Sequence, residues 1–469
     1  MRVLLIKPDY PKSYRYGPKE SIVFPPLGLE YVAGNILDIA EVRIFDNRIL
    51  NFKSLRLEIE KFQPDYVGIN CNYSTQIYHV NAIAKLAKDN NATTVLGGWH
   101  PSLTPNETLN SPWTDIIVRS EGELTFRELI QKNDPKGIDG LSYKKNSKNI
   151  HNSPRKLGDY NLILPPARNL RSSKVKPHYT FFDIPADSME TSRGCPFQCK
   201  FCSVHKFYSQ KYRVRSVSNI MKELHEINKN VRFVYIIDDN FMVFPKHISS
   251  LCDTIIKEKL NMFFMSTARI DMVNKYPEIF EKMAKAGFFH LFVGIESFSN
   301  KALKNLHKRF KFKEIKSAIQ ILHNLGFIIQ GNIIIGADFD DTEKDLESTI
   351  EIAKSIDLDI PTFSLLTPLP MTELRDEVIE KKMLLDGCNW HDYNWYTSTI
   401  KYPNLTSKQL EEYIIKAHSE VKFFTNPMER LKRIYKARGM LHYFPRIINY
   451  RFLKSMYKTS KNIITRILK

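Results

Sequence analysis

Three cysteines lie close together in the middle of the chain and could carry chemistry. Cys195, Cys199 and Cys202 follow a C-x3-C-x2-C spacing, which lets their sulfurs approach one another. Gly194 and Pro196 flank the first cysteine and favour a loop over a helix. Thiolates are the ligands of iron–sulfur clusters, and a four-iron cluster takes four ligands. Three cysteines would therefore leave one iron open to an outside ligand.

The segment from Thr191 to Cys202, with Phe201 before the last cysteine, resembles the cluster loop of the radical S-adenosylmethionine (SAM) enzymes. The resemblance implies that the three cysteines bind a 4Fe–4S cluster as catalytic ligands and that Phe201 lies beside the cofactors. It also implies that the open iron chelates SAM. An electron, supplied by a donor of flavodoxin or ferredoxin type, would then split SAM into methionine and a 5'-deoxyadenosyl radical.

The composition is that of a folded protein in a reducing compartment. The 469 residues are 43% hydrophobic and 26% charged, which excludes a disordered chain and allows two or three domains. Six cysteines, three of them in one loop, are too few for a disulfide scaffold. Neither a signal peptide nor an apolar run of about 20 residues is visible, so we expect a cytoplasmic protein.

The positive charge is concentrated at the end of the chain. Residues 421–469 contain 13 Lys or Arg and one acid, Glu429, so this segment carries +12 of the net +18. Apolar residues recur among the cations, a pattern typical of helices that lie on a membrane surface. This leaves two alternatives for the basic segment. It could make peripheral contact with the inner membrane face, or it could be a solvated charged face that packs on the barrel. No recognition motif accompanies the charge, so no specific nucleic-acid partner is expected.

Residues 1–135 alternate between short apolar runs and helical stretches. The runs cover 2–6, 42–45, 66–70, 93–97 and 115–118. Strands that alternate with helices predict a doubly wound, Rossmann-like parallel sheet with helices on both faces. In such sheets ligands bind beyond the carboxyl ends of the strands, so the loops at these ends are the candidate binding loops.

Those loops resemble the cobalamin-binding domain that precedes the barrel in one large radical SAM subfamily. The proline pair before Gly28, the Gly97-Gly98-Trp-His-Pro turn and the Glu121-Gly-Glu turn carry the resemblance. It implies a set of residues around cobalamin: Cys71, Asn72, Gly97, Gly98, His100 and Glu121. The Asp-x-His-x-x-Gly motif that supplies a cobalt ligand in cobalamin mutases is absent, and His100 is not expected to replace it.

The remaining chain divides into three further segments. The pattern of residues 136–186 predicts a linker with a small hairpin, and that of residues 381–469 predicts a helical, basic region. Between them, 187–380 contain five apolar runs, each followed by a polar or glycine-containing turn and then a helix. This pattern predicts a partial (β/α)6 barrel with chemistry at the carboxyl ends of its strands. An aromatic segment, Trp390–Tyr396, could close the barrel mouth.

Several turns of the predicted barrel could bind SAM. Carboxylates suit the amino group and ribose diol of SAM, and arginine suits its carboxylate. The family resemblance implies these roles for Asp238, Asp239, Arg269 and Glu296, and it implies that backbone between Gly331 and Gly336 meets the adenine. A strand-end acid can instead be a helix cap or a paired surface charge.

Together these observations predict a cobalamin-dependent radical SAM enzyme that methylates an unactivated carbon of a small-molecule or lipid substrate. One alternative is a non-methylating member that resembles the anaerobic magnesium-protoporphyrin monomethyl ester cyclase. Another, from a different class, is a zinc-binding interaction protein in which His205 completes a site with the three cysteines. The substrate itself is not readable from the sequence.

Overall fold

The computed structural model describes residues 1–10, 22–171, 179–181 and 184–421. Seventeen strands lie within these residues. They are β1 (Arg2–Lys7), β2 (Ile22–Val23), β3 (Glu41–Asp46), β4 (Tyr66–Asn70), β5 (Thr93–Gly97), β6 (Ile116–Val118), β7 (Leu141–Lys145), β8 (Lys148–His151), β9 (Thr180–Phe181), β10 (Ile184–Met189), β11 (Ser192–Arg193), β12 (Arg213–Val214), β13 (Phe233–Ile236), β14 (Phe263–Ala268), β15 (Phe288–Glu296), β16 (Ile328–Ile335) and β17 (Ile360–Leu365).

Sixteen α-helices lie in the same part of the chain. They are α1 (Leu27–Gly34), α2 (Phe52–Phe62), α3 (Ile77–Lys88), α4 (Trp99–Leu103), α5 (Pro105–Asn110), α6 (Glu123–Lys132), α7 (Val204–Phe207), α8 (Val217–Asn228), α9 (Pro245–Lys257), α10 (Ile270–Lys275), α11 (Pro277–Lys285), α12 (Asn300–Asn305), α13 (Phe312–Asn324), α14 (Glu343–Ser355), α15 (Glu373–Glu380) and α16 (Ser407–Glu420).

The described residues divide into two compact units. The first contains 1–10, 25–171, 179 and 206–209, and the second contains 22–24, 180–181, 184–205 and 210–421. The short piece 206–209 therefore belongs to the first unit, although the chain on both sides of it belongs to the second.

The first unit is built on a sheet of order β3-β1-β4-β5-β6-β7-β8, whose first five strands are parallel. The chain moves to one side of β1 to form β3 and to the other side for β4, β5 and β6. Because such crossovers are right-handed, α1 lies on one face of the sheet and α2 and α3 on the other. The predicted doubly wound sheet is confirmed, and its topological switch point lies between β1 and β4.

The apolar runs form parallel strands because both faces of the sheet are covered. Val3, Leu4 and Ile6 of β1 are fully buried. Helix α2 shows how the covering elements are specified. Asn51 caps it by accepting a hydrogen bond from the Ser54 amide (2.9 Å), and its apolar residues recur at helical spacing on the buried face.

The predicted hairpin near residue 140 is present as β7 and β8, and it extends the first sheet through antiparallel pairing of β7 with β6. The first unit also includes the chain up to 171. The division into segments 1–135, 136–186, 187–380 and 381–469 remains a prediction about domain boundaries.

The second unit is built on a sheet in which β10, β13, β14, β15, β16 and β17 are parallel and adjacent in that order. Short antiparallel strands β9 and β2 extend it beyond β10. Six parallel strands with intervening helices confirm the predicted partial (β/α)6 barrel. The sequence named five of these strands; the sixth, β10, lies just before the cysteine loop.

The chain after the barrel packs back on it. Helix α16 packs against β17, and within the segment 381–469, which was expected to be helical, it covers Ser407–Glu420. The Tyr402 hydroxyl donates a hydrogen bond to the Gly336 carbonyl at the end of β16 (2.6 Å). None of the helices in the described part of the chain combines the length and apolarity needed to cross a bilayer. The basic segment 422–469 lies outside the described residues.

Candidate active site

The three cysteines lie in a loop whose two ends are joined. Strand β11 pairs antiparallel with β12, with Ser192 opposite Val214, so the loop leaves and returns at one place. The Arg215 amide donates to the Thr191 carbonyl (2.9 Å), which closes the loop one step further. This ladder fixes where the loop begins, beyond the carboxyl end of β10.

Two aspartates that follow β13 hold the start of the loop. Asp238 accepts hydrogen bonds from the Thr191 amide (2.7 Å) and from the hydroxyls of Thr191 and Ser192. Asp239 accepts one from the amide of Gly194 (3.0 Å), which has φ +89°. Burial raises the pKa of Asp238 to about 6 and that of Asp239 to about 7, against the opposing effect of these hydrogen bonds. The structure thus shows both aspartates engaged with the loop.

The thiols themselves are free and partly shielded from solvent. Cys199 is buried, and Cys195 and Cys202 are partly buried. The Asn240 amide lies 3.4 Å from the Cys195 sulfur. Burial, with a contribution from the other two thiols, raises the pKa of Cys202 to about 12. The Cys202 thiol must therefore lose a proton when it binds a metal.

The donor set of the cysteine loop fits an iron–sulfur cluster. Among the described residues, no group of three or more His, Cys, Asp or Glu side chains converges as one metal ion requires, and His205 completes no such group. A 4Fe–4S cluster binds each thiolate through a different iron, so the sulfurs need not converge on one point. Three free cysteines in one loop fit that requirement.

Glu296 is the most constrained residue at the barrel's strand ends. It has φ +64°, a conformation that costs a non-glycine residue roughly 1 kcal/mol or more. Its carboxylate pairs with the Lys308 ammonium (3.0 Å) and accepts a hydrogen bond from the Asn332 amide (3.2 Å). Lys308 and Asn332 were missed by the sequence analysis, because nothing in the sequence places them beside residue 296.

Arg269 lies next to the cysteine loop. Its guanidinium is 3.7 Å from the centre of the Phe197 ring and forms two hydrogen bonds of 2.9 Å with Asp271. Phe197, between the first two cysteines, thus orients the Arg269 guanidinium. Burial raises the pKa of the Cys195 thiol, and this nearby cation acts to lower it. Phe201 packs beside an apolar cluster and lies 5.9 Å from the Lys308 ammonium.

Gly331 in β16 and Gly336 directly after it are both surrounded by side chains. A side chain at Gly331 would meet the side chains of Ile295 and Leu358 at 2.7 to 2.9 Å, so core packing already fills this space. Gly336, at φ +70°, is covered by Tyr402 and Leu410. Contact of this backbone with adenine remains a prediction.

The aromatic segment after the barrel is attached to β17. The Leu365 amide, at the carboxyl end of that strand, donates to the Trp395 carbonyl (2.7 Å). Arg375 donates to the Tyr393 hydroxyl (2.7 Å) and lies over the Trp390 ring. The segment is therefore attached at the carboxyl end of β17, and its closure of the barrel mouth remains a prediction.

In the first unit, charged groups meet at the switch point of the sheet. Lys7, the last residue of β1, donates to the Asn70 side chain at the end of β4 (2.9 Å). Burial and the nearby Arg48 cation lower the pKa of Lys7 to about 7. Arg48 itself pairs with Asp46 at the end of β3 (2.5 Å). The sequence analysis did not single out these four residues.

The turn after β5 packs tightly on the loop after β4. The Cys71 amide donates to the Gly97 carbonyl (2.7 Å), and the His100 amide to the Cys71 carbonyl (3.1 Å). A side chain at Gly98, which has φ +104°, would lie 2.7 Å from the Asn72 side-chain oxygen. A Cβ added at Gly97 would meet only Val118, at 3.9 Å, which is an ordinary van der Waals contact, so the collision is confined to Gly98.

His100 is a structural residue of this turn. Its ring nitrogens lie 3.0 Å from the Ser74 hydroxyl and 3.3 Å from the Thr104 hydroxyl. Burial lowers its pKa to about 4, so the ring is neutral at pH 7. Glu121 is partly buried in the loop between β6 and α6. These loops lie at the carboxyl ends of parallel strands, which is where ligands bind in sheets of this kind.

Comparison with known proteins agrees with both units. The family model described as the radical SAM superfamily matches residues 189–353, and that of the B12 binding domain matches 22–130. An uncharacterised methyltransferase of Pyrococcus horikoshii is 31% identical over 94% of this chain and 96% of its own length. The chain belongs to the B12-binding radical SAM family.

Further relatives of this radical SAM enzyme include both methylating and non-methylating proteins. The anaerobic magnesium-protoporphyrin IX monomethyl ester cyclase of Rubrivivax gelatinosus is 26% identical over 91% of the chain and 78% of its own length. The structure of the radical enzyme OxsB with aqua-cobalamin and SAM bound matches with a TM-score of 0.73 at 19% identity. That match covers 100% of this chain and 79% of OxsB, and it confirms the fold.

Family membership confirms the three predicted cofactors: a 4Fe–4S cluster, SAM and cobalamin. The protein is an enzyme of the cobalamin-dependent radical SAM methyltransferase family. The alternative of a zinc-binding interaction protein finds no support in these relatives. The roles of individual residues remain predictions.

Proposed function

We propose that this enzyme transfers a methyl group to an unactivated carbon of a small-molecule or lipid substrate. The observation that carries the proposal is the cysteine loop, held by Asp238 and Asp239 at the carboxyl ends of parallel strands, in a chain whose other unit is a B12-binding sheet. When bound, the cluster and SAM supply a 5'-deoxyadenosyl radical, and cobalamin supplies the methyl group.

The chain's own residues hold, orient and shield these groups. Cys195, Cys199 and Cys202 would be the cluster ligands. Glu296, fixed by Lys308 and Asn332, would present its carboxylate to the amino group or ribose of SAM. The aromatic segment Trp390–Tyr396 would keep water out of the barrel mouth, which protects a radical from side reactions.

In the first unit, the strand end at Gly97 would receive the corrin ring, because ligands of parallel sheets bind beyond the carboxyl ends of the strands. The neighbouring side chains of Asn70 and Asn72, which are hydrogen-bonded to each other (3.0 Å), offer polar groups to its amide side chains. His100 is committed to Ser74 and Thr104, so no histidine of this turn would ligate cobalt.

The proposal is tested by anaerobic reconstitution with iron, sulfide and hydroxocobalamin, followed by metal analysis. We expect about four irons and one cobalt per chain and formation of 5'-deoxyadenosine from SAM with dithionite. Cys199→Ala should lose iron and deoxyadenosine, while Cys388→Ala, which alters a partly buried cysteine elsewhere in the second unit, should keep both. Full iron content in Cys199→Ala would contradict the ligand assignment.

The cyclase relative supports a second outcome of the same radical chemistry, in which the substrate is oxidised and cyclised without gaining a methyl group. Incubation with SAM labelled in its methyl group separates the two. Label in the product supports methyl transfer, and a product that has lost hydrogen without label supports cyclisation.

The enzyme would take its electron from a flavodoxin or ferredoxin type donor. Its basic segment 422–469 would contact anionic lipid, since each cation near such a surface contributes about 1 kcal/mol. A lipid or membrane-bound substrate would suit this arrangement.

A further inference from the structure

Three aromatic rings connect the turn at Gly97 and Gly98, which we call the cofactor turn, with the chain that follows Cys202, the third cysteine of the loop. Trp99 stacks on Phe207, with ring centres 4.1 Å apart and planes inclined by 27°. Tyr208 meets both rings edge-on, at 5.9 Å from Trp99 and 4.8 Å from Phe207. We call these three residues the aromatic clamp. Phe207 and Tyr208 are buried, and Trp99 is partly buried.

A chain of hydrogen bonds reinforces the clamp. The Ser120 hydroxyl donates to the Phe207 carbonyl (3.1 Å), and the Ser120 amide donates to the Ser102 hydroxyl (2.9 Å). Ser102 in turn donates to the Gly98 carbonyl (2.6 Å). Ser120 has φ +62°, a conformation that only a well-determined site maintains. Phe207 is thus connected by polar contacts to the same Gly98 that the cofactor turn requires.

The position of Phe207 in the sequence gives these contacts their importance. It follows the cluster ligand Cys202 by five residues, and residues 204–207 are helical. Even a fully extended run of five residues spans only about 18 Å, and a helical one less. Phe207 belongs to the first unit and Cys202 to the second. A shift of Phe207 must therefore be transmitted through five residues of the chain to Cys202, which is a cluster ligand.

We propose that Phe207 and Tyr208 are positioning residues that support the cobalamin turn through Trp99 and couple cobalamin loading to the stability of the iron–sulfur cluster. This inference rests on the proposed function. Neither residue needs to touch a cofactor. The physical basis is that occupation of the turn at Gly97 and Gly98 immobilises Trp99, which holds the segment 206–209 and restrains Cys202.

Coupling of this kind is reciprocal, and reciprocity makes the proposal quantitative. If cobalamin stabilises the cluster by some factor, the cluster must tighten cobalamin binding by the same factor. We expect a factor of roughly five or more, the lower end of typical coupling between sites. A merely structural role for the aromatic rings would lower stability without linking the two cofactors.

The experiment measures both directions on the full chain without using turnover. Hydroxocobalamin affinity is measured by absorbance titration of the iron-free and the reconstituted protein. The rate of iron loss to a chelator is measured with and without hydroxocobalamin. In the wild type, cobalamin should slow iron loss, and the cluster should tighten cobalamin binding by a factor of roughly five or more. Phe207→Ala should abolish both effects, and Phe207→Tyr, which keeps a ring, should retain them.

Phe244→Ala is the matched control, because it removes an exposed ring that stacks on His247 in the second unit. It should behave as the wild type. Wild-type protein that binds both cofactors without mutual effect would overturn the coupling and leave the proposed function intact. Wild-type protein that takes up iron but no cobalamin would overturn the proposed function and, with it, this inference. Coupling that survives in Phe207→Ala would exclude the clamp as its route.

Discussion

At the scale of single residues, the side chains that hold the cysteine loop matter as much as the cysteines. Asp238 accepts three hydrogen bonds from two consecutive residues, Thr191 and Ser192. It is buried, and a buried carboxylate is stable only when such donors compensate for lost water. Its first task is therefore to place the loop.

Replacing Asp238 should impair cluster assembly. In Asp238→Ala the amide and two hydroxyls lose their acceptor, at a cost of about 1–3 kcal/mol for each buried group left unpaired. We expect less than half of the wild-type iron after reconstitution and faster iron loss to a chelator, with Asp238→Asn in between. Asp253→Ala, at an exposed acid paired with Lys282, is the control. Wild-type iron content in Asp238→Ala would show that β11 and β12 alone hold the loop.

His100 should make the first unit sensitive to acid. Burial lowers its pKa to about 4, below the value of about 6.5 in the unfolded chain. Between these values the unfolded state binds the extra proton, so stability is lost as pH falls from 6.5 to 4, by up to about 3 kcal/mol. Urea unfolding of wild type and His100→Asn at pH 7.5 and 5.0 measures this. The wild type should lose more stability on acidification than the variant; equal losses would contradict the assignment.

At the scale of elements, the turn between β5 and α4 has the tightest backbone packing near the proposed cobalamin edge. Gly98 reaches φ +104°, and an added Cβ would lie 2.9 Å from the Cys71 carbonyl oxygen. The Cys71 carbonyl is part of the backbone, so it cannot move aside as the end of a flexible side chain can. The turn is therefore shaped by the neighbouring loop and not by the helix that follows.

Gly98→Ala should distort this turn and weaken hydroxocobalamin binding by at least about tenfold, as a cost of roughly 1.4 kcal/mol or more implies. The matched control is Gly137→Ala, because Gly137 also has positive φ (+71°) but no atom within 4 Å of an added Cβ. Both variants place alanine at a positive φ, but Gly98→Ala adds the collision and a φ of +104° with a ψ of −169°, a region that is essentially limited to glycine. Equal binding by the two would refute the importance of the packing. Absorbance titration gives the affinities.

At the scale of the whole molecule, the basic segment is separable from the catalytic body. Residues 421–469 contribute +12 of the net charge, and the barrel is already completed by α16. A chain ending at Val421 should keep its iron and cobalamin content. It should lose binding to anionic vesicles at low salt, as should a chain ending at Arg438. Co-sedimentation checks this, with neutral vesicles as control; unchanged binding would refute the membrane role.

Both sheets could be anticipated from the sequence because parallel strands covered on both faces need apolar runs, and β1 and β16 have them. The cysteine spacing likewise predicted the cluster loop, since the expected ligands of the cluster are local in sequence. Strand β10 was not named, because Ile184–Met189 has Pro185, Asp187 and Ser188 among its residues and lacks a continuous apolar run.

The sequence by itself determined the class of enzyme, its cofactors and the two parallel sheets. Only the tertiary structure decided which distant residues meet: Lys308 with Glu296, Lys7 with Asn70, and Phe207 with Trp99. The physical reason is how far apart along the chain the interacting residues lie. Strand patterns and ligand spacing are set by neighbours along the chain, whereas the partner of a buried charge or ring is set by how separate elements pack.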